Sequence, residues 1–138
     1  MIMQIKKVVV KMLVKVRENI FVGDENVKAD DLRKNGITVI EVVTDEKISF
    51  EHADCQVFAV DLHTDQINKP HVKDIACHIP KFMVQNGEIV AIISKNGLIR
   101  APFVAARAIC ELENKTIYDI LMEFPKLIKG FDIGKAYL

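Results

Sequence analysis

The chain has no excess of charge of either sign: over 138 residues, 19 lysines and arginines balance 19 aspartates and glutamates. A balanced chain has no global field to draw in nucleic acid or an anionic membrane, so any anion site must be local. Cysteine is scarce as well. Cys55, Cys77 and Cys110 are odd in number, sit among apolar residues and lack CxxC spacing, which argues against a disulfide framework and a zinc site and for buried thiols in a reducing compartment. Long apolar runs are missing too. The stretch from Val8 to Val16 is broken by Lys11 and Lys15, and no small-residue cleavage site follows, so neither a signal peptide nor a spanning helix is expected and the protein reads as cytoplasmic. There are no internal repeats, low-complexity segments or linkers. His63, His71 and His78 form no metal-binding spacing, and neither a metal nor a cofactor is expected.

Half of the residues are apolar, enough to bury one core, and the length suits one domain over residues 1–138. Strand and helix signals alternate. Lys6 to Val16 and Asn19 to Gly23 read as short strands, the second closed by a glycine. Asp24 to Lys34 reads as a short helix stopped by Asn35-Gly36, and Ile37 to Val43 as a strand buried on both faces. Val57 to Val60 is a shorter strand. Pro70 opens a helix on which Ile75, Ile79 and Phe82 recur at helical spacing; Pro80 is expected to kink or end it, and Asn86-Gly87 to close it. Glu88 to Ile93 is the strongest buried-strand signal. After it, Pro102 fits a first helical turn, with Val104, Ala105, Ala108, Ile109 and Leu112 on one face. Thr116 reads as the N-cap of a last helix carrying Ile117, Ile120, Leu121 and Phe124, with Pro125 as its kink or end. The alternation implies an α/β fold, its central sheet mostly parallel with helices on both faces.

In open α/β sheets, ligands collect beyond the carboxyl ends of central strands, where the next helix offers unpaired N–H groups and the positive end of its dipole. Ser94-Lys95-Asn96-Gly97-Leu98-Ile99-Arg100 occupies that position. Gly97 would admit a positive φ and let backbone amides approach an anion, and the planar fork of Arg100 at the helix entry can hold two phosphate oxygens. The alternative is an ordinary strand-to-helix connection ending in one arginine. A Walker-type loop is poorly supported, since both its glycine spacing and its Gly-Lys-Ser/Thr ending are absent.

Ile93 to Ala101 resembles the signature of the cysteine-dependent dual-specificity phosphatases: His-Cys, five residues, then Arg and Ser or Thr, with a glycine three places after the cysteine. Gly97 and Arg100 are in register, and Pro102 stands where many members have a proline. Asn19 to Gly23 resembles an early strand of that family, Gly36 to Ile40 the strand after its first helix, and Val57 to Asp61 the strand that delivers a general-acid aspartate. The resemblance spans nearly all of the chain after Val16. It implies the protein tyrosine phosphatase fold, a phosphate loop from Ser94 to Arg100 with Ser94 at the nucleophile position, and Asp61 at the acid position. Asp65 is a weaker candidate for that acid, and Ile48 to Glu51 would border the site.

The departures from the pattern concern the nucleophile. In the resembled family a thiolate attacks phosphorus; a serine hydroxyl is far less acidic, the preceding histidine is Ile93, and the hydroxyl after the arginine is Ala101. Loss of all three together points to natural loss of catalysis. The expected function is therefore that of a pseudophosphatase that binds phosphate or a phosphorylated protein. The alternatives are an active phosphatase whose natural cysteine has been replaced by Ser94, a rhodanese-like domain, or a purely structural domain.

Overall fold

The computed structural model describes residues 13–43, 54–60, 70–95 and 99–133, and for 70–73 the backbone alone. Five strands form one sheet: β1 (Leu13–Arg17), β2 (Ile20–Gly23), β3 (Val39–Val42), β4 (Gln56–Ala59) and β5 (Val90–Ile93), in the order β1-β2-β5-β3-β4. β1 and β2 form an antiparallel hairpin, and the other neighbours run parallel. Among the described residues five helices accompany them: α1 (Ala29–Lys34), α2 (Pro70–Gln85), α3 (Arg100–Glu113), α4 (Ile117–Leu121) and α5 (Phe124–Leu127).

Alternation along the strands sorts the core into two layers. Ile20, Val22, Val39, Val43, Val90 and Ile92 face the layer built with α2, α3, α4 and α5. Phe21, Ile40, Val42, Ala91 and Ile93 face the other, which includes Leu32 of α1. β2, β3 and β5 are buried throughout, as strands covered on both sides should be.

The helix boundaries follow local chemistry. The Asp31 carboxylate accepts the Lys28 N–H at the start of α1 (3.3 Å), and Gly36 just past its end takes φ +68°, a left-handed conformation that suits glycine. Thr116 Oγ1 accepts the Asp119 N–H at 3.2 Å and caps α4.

Three expectations are corrected. α2 closes just before Asn86-Gly87, as expected, but its helical run does not end at Pro80; that residue is buried, and the missing amide leaves only the Ala76 carbonyl without its usual donor. The apolar stripe on α2 does not mark its buried face. Ile75 and Phe82 are 57% and 50% exposed, whereas Ala76, Cys77 and Pro80 point inward, because small groups let the helix lie close to the sheet. Phe124 and Pro125 belong to α5, with Pro125 in its first turn, where a missing N–H costs nothing.

Candidate anion-binding site

Ser94 follows β5 directly, at the carboxyl end of a strand flanked by β2 and β3. Its N–H donates to the Gly23 carbonyl (3.2 Å), and the Glu25 N–H reaches the Lys95 carbonyl (3.4 Å), so the β2–α1 connection runs beside the start of the loop. On the other side the Val43 N–H donates to the Ile93 carbonyl (2.8 Å). Ser94 is thus only 1% exposed, held between the ends of three parallel strands.

At the far end of the loop, Ile99 is the N-cap residue of α3 and its side chain caps nothing; its carbonyl accepts the Phe103 N–H (3.2 Å). Ser94 supplies the missing cap from across the loop, its Oγ accepting the Ala101 N–H at 3.3 Å. No acidic side chain stands in the first turn of α3, so the positive end of this fourteen-residue helix is not neutralised from within the turn. Arg100, partly buried, is the first residue of that turn.

Of the expected site residues, the structure describes Ser94, Lys95, Ile99 and Arg100, and it ties the two ends of the loop together through Ser94 and the Ala101 N–H. Asn96, Gly97, Leu98 and Asp61 lie outside the described residues, as do Asp65, His63 and 48–51. His78 is exposed and stacks on Phe82, with ring centroids 6.1 Å apart. Two of the cysteine thiols are engaged elsewhere, that of Cys55 donating to the Ile37 carbonyl and that of Cys110 to the Arg107 carbonyl, and Cys77 is buried on α2. Burial raises the Cys55 and Cys110 thiols above their ordinary range, away from reactivity. Among the described residues no group of three His, Cys, Asp or Glu side chains could hold a metal, and no helix is long and apolar enough to cross a membrane. A separate pocket of about 270 Å³ lies near the opposite end of the sheet, lined by Arg17, Ile20, Val84, Ile109, Leu112 and Glu113, none of them an expected site residue.

Sequence reading missed one unusual group, Glu41. It is fully buried in the middle of β3, neither carboxyl oxygen has a hydrogen-bond partner, and burial pushes its pKa well above the usual carboxylate range. The available signal was an acid inside an otherwise β-branched run.

A five-stranded sheet in this order, with a loop joining its central strand to α3, has clear structural counterparts. Human DUSP28 superimposes with a TM-score of 0.77 at 17% identity, over 88% of this chain and 84% of that one. The fold is that of the dual-specificity phosphatases. A mouse putative dual specificity phosphatase complexed with zinc tungstate matches with a TM-score of 0.79 at 14% identity, over 94% and 83% of the two chains. The human tyrosine phosphatase-like serine/threonine/tyrosine-interacting protein matches with a TM-score of 0.71 at 16% identity, over 91% of each. No protein-family model matches the sequence, and no curated protein matches it. The likeness sets the rhodanese-like alternative aside. At these identities it concerns the phosphatase fold alone, and chemistry must be argued from the residues.

Proposed function

We propose that this single phosphatase-like domain, residues 1–138, binds phosphate, or a phosphorylated side chain of a partner protein, through Ser94, Lys95, Asn96, Gly97, Leu98, Ile99 and Arg100 without hydrolysing it. The observation that carries the reading is Ser94 Oγ accepting the Ala101 N–H at the start of α3 (3.3 Å). A hydroxyl in that position is a capping group. Its neighbours at 93 and 101 are an isoleucine and an alanine, both fully buried, so neither can take its proton or assist a leaving group.

Binding does not need the nucleophile. A neutral serine removes the charge with which a thiolate would repel a phosphate dianion, while the amides of the helix entry and the Arg100 guanidinium remain attractive. Asp61, at the position of a general acid, then has no leaving group to protonate. Two structures with this fold are consistent with such use: one is of a tyrosine phosphatase-like serine/threonine/tyrosine-interacting protein, and another is complexed with zinc tungstate, whose anion is a tetrahedral oxyanion. Cys55, Cys77 and Cys110 are not joined in disulfides, which fits a cytoplasmic setting.

The test is release of inorganic phosphate from a phosphotyrosine peptide by the wild type, by Ser94→Cys, and by the triple variant Ile93→His, Ser94→Cys, Ala101→Ser. The expected pattern is no release by the wild type and measurable release by the triple variant. Because uncatalysed phosphomonoester hydrolysis is extremely slow, even weak turnover stands out. Turnover by the wild type would end the inactive reading. Full activity in Ser94→Cys alone would favour the second reading, an active phosphatase whose cysteine has been replaced.

A further inference from the structure

Glu41 and Pro80 are each anomalous, and the fold brings the two anomalies to one level of one seam. Glu41 alternates with Ile40 and Val42, which face α1, so its side chain enters the opposite layer, between β3 and α2. The level follows from the register. Ile20, Val90 and Val39 lie in one row across the sheet, and Val84 of α2 lines a pocket with Ile20 at that end. Glu41 is two strand residues further on, about 6.6 Å at roughly 3.3 Å per residue. α2 descends against the strands, since it leads from β4 back to the start of β5. At about 1.5 Å per residue, the same distance corresponds to roughly four helix residues, from Val84 back to Pro80. The Ala76 carbonyl points along the helix towards Pro80, which has no N–H to give it. Ala76 is 0% exposed and Pro80 is buried, so both face the seam.

We propose that Glu41 is held in the folded protein as a neutral carboxylic acid whose O–H donates to the Ala76 carbonyl left open by Pro80, a protonation-dependent latch between β3 and α2. The Glu41 carboxyl oxygens have no hydrogen-bond partner, and a proline four residues on deprives the Ala76 carbonyl of its helical donor; a carboxylate can only accept, whereas its protonated form carries the one donor such a carbonyl needs. Among the described residues, the neighbours of Glu41 in this layer are apolar. β5 presents Ile92 and β4 presents Phe58 beside Glu41, α3 contributes Ala101, Val104 and Ala105 to this layer, and α2 contributes Ala76 and Cys77. Lys81 and Glu111 pair with each other (3.5 Å) on the partly exposed side of the α2–α3 contact.

The latch makes stability pH-dependent with a definite sign. A folded-state pKa raised above the unfolded one stabilises fully below the unfolded value and loses that stabilisation as pH rises through the folded value. Between the two, the unfolding constant grows about tenfold per pH unit. Two measurements test this. In the infrared spectrum at about pH 6, where ordinary carboxyls are ionised, the wild type should show one protonated-carboxyl band that Glu41→Gln lacks. Pro80→Ala restores an amide to the Ala76 carbonyl and should move that band to higher frequency as its hydrogen bond weakens. In denaturation, Glu41→Gln, which keeps an N–H donor, should remain folded and lose the alkaline slope. Absence of the band in the wild type, a band that Pro80→Ala leaves in place, or an unchanged slope in Glu41→Gln would overturn the proposal.

Discussion

Replacing Arg17 with methionine should destabilise the protein by about 1–2 kcal/mol, and the loss should shrink with salt. Arg17 closes the sheet's hairpin onto the helical layer: its Nε and Nη2 donate to Glu113 at the end of α3 (2.6 and 3.2 Å), Nη2 also donates to Glu123 after α4 (2.7 Å), and Nη1 holds the Val16 carbonyl (2.8 Å). Hydrogen bonds to charged groups contribute roughly 1.5–3 kcal/mol each when dry. The side chains here are 25%, 31% and 41% exposed, so water screens the pairs and the sum must be discounted to the range given. The hydrogen bond to Arg17 also holds the Glu113 carboxyl below its usual range, against the opposing effect of burial. A lowered carboxyl contributes stability above its unfolded value of 4.5 and loses it as pH falls through the lowered folded value. Arg17→Met should therefore flatten the acid limb of the stability profile. Urea unfolding at low salt and at about 1 M salt, with a double-mutant cycle against Glu113→Gln, measures the coupling. A coupling energy below about 0.3 kcal/mol, or an acid limb unchanged in the variant, would refute the reasoning.

Other expectations follow from single sites. Phe124→Ala removes a fully buried ring packed edge-on against Phe131 with centroids 5.6 Å apart, and should cost about 3–5 kcal/mol in urea unfolding. Gly36→Ala should cost about 1 kcal/mol from backbone strain alone, because φ is +68° while the added carbon would meet Ile89 Cδ1 at an ordinary 3.6 Å. Ser94→Ala leaves the Ala101 N–H without its cap and should lower stability by about 1 kcal/mol, with the loss recovered in saturating phosphate if the loop binds it.

The parts of the fold legible in the sequence were those fixed by local pattern. β5 was an uninterrupted apolar run, α1 carried its Asn35-Gly36 stop, and Thr116 proved to be a cap. The location of Ser94 at a strand end beside a helix entry followed from those boundaries and stands in the structure. What local pattern could not give depended on tertiary contact. The large apolar groups of α2 are on its outer face because close packing favoured Ala76 and Cys77, and α2 runs through Pro80 because only one carbonyl is left without a donor. Glu41 looked like one polar letter in a strand; only the pairing of β3 between β4 and β5 buries it.

The most direct test of the account is a titration of the wild type and of Arg100→Ala with inorganic phosphate and tungstate, followed through the backbone amide resonances of Lys95 and Ala101. The account predicts saturable shifts at both amides in the wild type and their loss in a folded Arg100→Ala variant. Amides that do not respond in the wild type, or that respond equally in the variant, would contradict an anion site at the Ser94 to Arg100 loop.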